Sequence, residues 1–119
     1  MRSILLTSDT ILRFLLGDQP DVTQTLTQLF ESAEEGNIRL VVDSIVIGEC
    51  CAVLQSKEHQ FQRELIVHYL TLVLLHPGVE CDRLSIVLDA LESYAHNESD
   101  FTNTYLDALA KASGYDVVR

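Results

Sequence analysis

Four short apolar runs divide the chain: Ser3–Leu6, Ile38–Val42, Val79–Cys81 and Asp116–Arg119. Each is too short for a helix and has strand composition, while the stretches between them carry apolar residues at helical spacing. Short buried strands alternating with helices imply an α/β fold, with a small parallel sheet of about four strands covered by helices on both faces. Right-handed crossovers follow by default. A length of 119 residues supports one core and is too short for two, so residues 1–119 read as a single domain. The last run resembles the opening of a final strand, which makes the expected fold one truncated just after it.

The helical stretches carry their own punctuation. The first follows the turn Thr7-Ser8-Asp9 and is stopped by Gly17. Pro20 and Asp21 open the second, roughly Val22 to Glu35, with Val22, Leu26, Leu29, Phe30 and Ala33 in helical register and Gly36-Asn37 at its end. Asp43-Ser44 caps a third, Ile45 to Gln55, which is apolar nearly all round and is therefore expected to be deeply buried. Gln60 to Leu75 follows, ended by Pro77-Gly78, and then Arg83 to Ala95. The last helix, Asp100 to Ala112, is opened by Ser99 or Asp100 and closed by Gly114.

Composition excludes several classes. The longest apolar run, Leu65 to Leu75, is interrupted by His68 and is too short to span a membrane. Without a signal-like leader, a soluble cytoplasmic protein is expected. Three cysteines, two of them adjacent, do not read as a disulfide framework, and the four histidines show no zinc spacing. Cys50, Cys51 and Cys81 are expected to be buried thiols, and His68 a core or interface histidine. The net charge of −10 opposes binding of a polyanion unless a cation or basic partner neutralises it. Alternatively, the acids are spread over solvated helix faces.

Certain carboxylates are out of place on that background. In parallel α/β sheets, ligands bind at the carboxyl ends of the strands, where Asp9 falls. Glu49 is the single acid within an apolar helix, and burial without a partner would cost it several kcal/mol or force it to take up a proton. It therefore requires a metal, a cation or a hydrogen-bonded partner, or lies at the sheet rim beside an arginine. Asp100 and Asn103 open the last helix, where anions and negative groups are favoured. Together Asp9, Glu49, Asp100 and Asn103 would form an oxygen-rich cluster suited to Mg²⁺ or Mn²⁺, with Asp9, Glu49 and Asp100 as ligands. Such a metal can activate water for phosphodiester hydrolysis.

The order of elements, with Leu12-Arg13-Phe14-Leu15-Leu16-Gly17-Asp18, Val46-Ile47-Gly48-Glu49 and Asp100-Phe101-Thr102-Asn103-Thr104-Tyr105-Leu106, resembles a PIN domain over essentially the whole chain. The similarity is closest to the VapC-type toxin ribonucleases of toxin–antitoxin modules. It implies a Mg²⁺- or Mn²⁺-dependent endoribonuclease, a hydrolase, with RNA as substrate, a homodimer, and an antitoxin as partner. Three departures qualify it. The family's Asp-Thr-Asn turn falls on Thr7-Ser8-Asp9, so its first Asp is Thr7. Its Asp-Phe-Ala-Asp pattern falls on Asp100 to Asn103, so its catalytic Asp is Asn103. Glu49 matches directly, and no acid follows the final strand.

The resemblance with these departures implies a PIN-like protein with weakened or lost activity and a binding role. The alternative is an active metal-dependent ribonuclease using the shifted acids Asp9, Glu49 and Asp100. A phospho-acceptor receiver would need clustered acids and a strand-end lysine, but Lys111 falls on a helix. The surplus of apolar residues over Phe61 to Leu75 serves either a homodimer or the core.

Overall fold

The computed structural model describes residues 1–119. Strand β1 (Arg2–Leu5) is followed by helices α1 (Ser8–Leu16) and α2 (Pro20–Glu34). Strand β2 (Ile38–Val41) is followed by α3 (Ser44–Gln55) and α4 (Arg63–Leu74). Strand β3 (Val79–Glu80) is followed by α5 (Leu84–Ala95) and α6 (Phe101–Ser113). The three strands form one parallel sheet in the order β1-β2-β3. Each strand feeds its helices from its carboxyl end, so the first turns of α1 and α3 start beside one another.

The sheet has three strands and not about four. Residues Tyr115–Arg119 follow the left-handed Gly114 that closes α6, and they lie outside any strand. Tyr115 is tied back by its N–H to the Ala110 carbonyl, and the outer edge of β1 pairs with nothing. The two faces of the sheet differ in how far they are buried. Ile4, Leu40 and Val79 are register partners on one face, with Leu40 fully buried and Val79 nearly so. On the opposite face Ser3, Leu5, Arg39 and Glu80 are exposed, Val41 is half-buried, and Arg39 pairs with Glu80 across 2.9 Å. A two-residue period with one face wet is ordinary in antiparallel sheets and unusual in a parallel one.

The core gathers Leu6, Leu40 and Val42 from the sheet side with Ile47, Cys50, Leu54, Ile66, Leu70, Val87, Leu91 and Tyr94 from the helices. At Gly78 the chain enters β3 against α2 so closely that a Cβ would stand 2.4 Å from the Ala33 Cβ and 2.5 Å from its carbonyl carbon. Only glycine fits there. Helix α4 begins at Arg63, three residues later than its apolar pattern suggests. Gln60 adopts a left-handed φ of 54°, and Phe61 donates its N–H back to the Leu54 carbonyl, so the chain turns before it can coil. No helix is long and apolar enough to cross a membrane.

Candidate functional site

At the start of α1, Thr7 is the N-cap: its side chain accepts the Thr10 N–H at 3.2 Å. The Thr7 hydroxyl also donates to Thr10 Oγ1 at 3.0 Å. The oxygen at the position where the resemblance expects a metal-binding carboxylate is thus engaged within its own helix turn. Asp9, one residue into α1, lies on the exposed side and pairs with Arg13 Nε at 3.1 Å, one helical turn on. Asp100 is the N-cap of α6, accepting the Asn103 N–H at 2.8 Å through Oδ1. Its carboxylate and the Asn103 backbone are therefore bound to each other.

Glu49 is exposed and forms no ion pair, so it is neither buried nor set beside an arginine. Helix α3 buries Val46, Ile47, Cys50, Cys51 and Leu54. That leaves Ile45, Glu49, Ala52 and Val53 on its open side. The all-round apolar pattern could not reveal that side. Ile45 is 70% exposed despite its chemistry. Glu49 lines a shallow depression of about 370 Å³ between α3 and α6, together with Ser44, Gly48, Phe101, Thr102 and Tyr105.

The three helix starts do meet around α3. The Cys50 thiol points at the Ser8 carbonyl, 3.9 Å away. On the other side, a Cβ on Gly48 would contact Phe101 at 3.4 Å and Thr102 Oγ1 at 3.8 Å. Glu49 thus lies on α3 between the residue preceding Asp9 and the residue preceding Asn103. The backbones converge while the carboxylates of Asp9 and Asp100 are turned to other partners. No three His, Cys, Asp or Glu side chains form a group that could hold a metal ion. As arranged, the residues present do not fit a carboxylate-bound Mg²⁺ or Mn²⁺.

Two features of this neighbourhood escaped the sequence. Asp43, which caps α3 through the Ile45 N–H at 3.0 Å as expected, also stands just past the carboxyl end of β2, and Asp82 stands just past that of β3. The Cys81 thiol between them is pushed up first by burial and then by these two charges. The strand-end logic that selected Asp9 applies equally to both acids. The second is Arg63, whose Nη1 donates to the Tyr94 carbonyl at 3.1 Å and the Ser99 carbonyl at 2.7 Å, with its guanidinium 4.0 Å over the Tyr94 ring. It pins the loop that presents Asp100, and nothing in a lone arginine at the head of an apolar helix announced it.

Comparison of the chain with protein-family models, curated proteins and solved structures finds no match.

The reactive side chains of the core are quiet. Cys50 and Cys51 are both pushed up to about 12, Cys50 by burial and then by Glu49, Cys51 by burial and then by Cys50. A thiol held protonated is neither a nucleophile nor a metal ligand at neutral pH. His68, expected in the core or an interface, is exposed with its ring 5.6 Å from that of Tyr69. A separate depression of about 390 Å³ lies between α1, α2 and α4, lined by Phe14, Leu15, Phe30, Tyr69, Leu72 and His76 among others. Leu65, Tyr69, Leu72 and Leu75 continue it as an exposed apolar stripe along α4.

Proposed function

We propose that the chain is a PIN-like domain related to the Mg²⁺- or Mn²⁺-dependent endoribonucleases of toxin–antitoxin modules. In this reading its metal site is weakened or lost, and its role is binding, to a second copy and to an antitoxin-like protein in the cytoplasm. The observation that carries the reading is the engagement of the site's oxygens: Thr7 caps its own helix, Asp9 pairs with Arg13, and Asp100 holds the Asn103 N–H. Thr and Asn neutralise less cation charge than two aspartates and cannot serve as a base. The acidic balance of the chain, −10, works in the same direction by repelling RNA phosphates. For binding, the apolar depression between α1, α2 and α4 and the adjoining α4 stripe offer a surface that fits the apolar face of a partner helix.

A second reading, an active ribonuclease using Asp9, Glu49 and Asp100, draws on the convergence of α1, α3 and α6 around Gly48 and Cys50. It requires Asp9 to leave Arg13, an exposed pair of small energetic weight. RNA incubated with Mn²⁺ separates the two, with the chain compared against Glu49→Gln. The binding reading expects no cleavage above background by either protein. Cleavage that disappears on substitution would overturn it in favour of the enzyme.

A further inference from the structure

The depression beside Glu49 differs from the rest of the candidate site in that its polar groups are free. Thr7, Asp9 and Asp100 are each engaged within their own helix turn. The Ser44 and Thr102 hydroxyls and the Glu49 carboxylate make no hydrogen bond or ion pair with the protein. All three line the same space of about 370 Å³ between α3 and α6.

Its walls suit a flat ring. On α3, Gly48 and Ala52 lie one turn apart and present nothing larger than a methyl group. On α6, Phe101 and Tyr105 are stacked, with ring centroids 6.1 Å apart and planes 26° from parallel. Phe101 is buried, while Tyr105 is half-buried and keeps surface for a further ring. Planar heterocycles stack on such aromatic side chains whatever their substituents. The Glu49 carboxylate then selects among them, because it offers acceptors only and takes two parallel donors. Guanine alone among the common nucleobases sets a ring N–H beside an amino group on one edge. Adenine and cytosine set their amino group beside acceptors, and uracil places its one N–H between two carbonyls. The remaining edge of guanine carries a carbonyl and a ring nitrogen, both acceptors, to which the Ser44 and Thr102 hydroxyls can donate. An arginine side chain offers the same paired donors but no acceptor, and would leave those hydroxyls nothing to donate to.

We infer that the depression between α3 and α6 binds a guanine nucleoside, its base stacked on Tyr105 and donating its ring and amino N–H groups to Glu49. The ligand carries no phosphate, because the net charge of −10 repels one. Glu49 serves here as an acceptor for a base edge and needs no metal. The inference therefore stands on this depression alone, whether or not the chain is a PIN-like domain.

Titration of the full chain with guanosine, followed by NMR with EDTA present so that no metal contributes, tests this. The expected dissociation constant is about 1 mM or lower, as suits a small ligand in a shallow site. Inosine, which lacks only the amino group, should bind at least about tenfold more weakly, and adenosine more weakly still. Guanosine monophosphate should bind less tightly than guanosine at low salt, with the difference closing as salt is added. Glu49→Gln and Tyr105→Ala should each weaken guanosine at least about tenfold. Glu49 is exposed, so its variant keeps the fold and carries the test if Tyr105→Ala unfolds. Absence of guanosine binding overturns the inference, as does equal affinity for inosine or indifference to Glu49→Gln. Methylguanidinium binding as tightly as guanosine would also overturn it, by assigning the depression to a cation.

Discussion

The starts of α1 and α6 carry the two shifted motifs of the candidate site, and they are held in opposite ways. At α6, Asp100 caps the helix and the loop before it is fixed from outside by Arg63, which reaches carbonyls 31 and 36 residues away and lies on the Tyr94 ring. Tyr94 is itself almost fully buried and donates its hydroxyl to Gln55 at 2.6 Å. At α1, the side chains of the motif bond only locally and at the surface: Thr7 to Thr10, and Asp9 to Arg13. One start is part of the core's polar framework. The other is a surface turn whose side chains can exchange partners without disturbing the fold. Plasticity at the site therefore belongs to Asp9, and the fixed reference belongs to α6.

Arg63→Ala gives the largest expected effect that sharpens this contrast. It leaves the Tyr94 and Ser99 carbonyls without their charged donor and removes the stacked guanidinium, which together should cost about 3 kcal/mol in a urea unfolding series. An unchanged midpoint would erase the contrast. Base comes next. Cys50, Cys51 and Tyr94 are all pushed up to about 12, in each case by burial first. The unfolded chain therefore loses these protons before the folded one does. Stability should be intact below about pH 9 and fall as pH rises toward 12, by about 1.4 kcal/mol per pH unit for each buried thiol. Chemical denaturation at pH 8, 9.5 and 11 reads this directly.

The smaller effects compare the two caps. Asp100→Ala should cost about 1 kcal/mol and Thr7→Ala about the same or less, since each removes one N-cap acceptor. Loss of the fixed cap is expected to slow the return of α6 without altering α1 amide exchange. Arg13→Ala should change stability by less than about 0.5 kcal/mol, because the pair is exposed. Its value is functional: it frees the Asp9 carboxylate. Mn²⁺ titration by calorimetry is expected to show no binding to the parent chain and weak binding to this variant if the Arg13 pair is what occupies Asp9. No gain on release would put the obstacle at Thr7 and Asn103.

The helices were legible in the sequence because their signals are local. Gly17 and Gly114 adopt the left-handed caps their positions demand, and Asp43 and Asp100 cap as their chemistry suggests. What was illegible depends on contacts between distant parts. Apolar residues on all sides of α3 promised full burial, but whether Ile45 and Glu49 are covered depends on what lies beside them in space. The fourth strand failed for a related reason, since Val117 and Val118 have the right composition but their segment is tied back to α6 through Tyr115 and Arg119 and leaves the β1 edge unpaired. Likewise the site acids could be ranked by position along the chain, while the choice of Arg13 by Asp9 is a matter of one exposed helical turn.

The dry face and wet face of the sheet have a calorimetric consequence. The Cα envelope measures 43 × 35 × 18 Å, little more than a strand layer and a helix layer deep. Its radius of gyration, 14.8 Å, exceeds the roughly 13.5 Å expected of a rounder domain this long. Only 23 of 119 residues are buried, so unfolding hydrates comparatively little new hydrocarbon per residue. The heat-capacity increment of the isolated chain should accordingly fall below the usual range of roughly 12–15 cal/mol/K per residue. A slab of this kind keeps a shallow stability curve, changing little between cold and warm, and the curve should steepen whenever a second layer is laid against it.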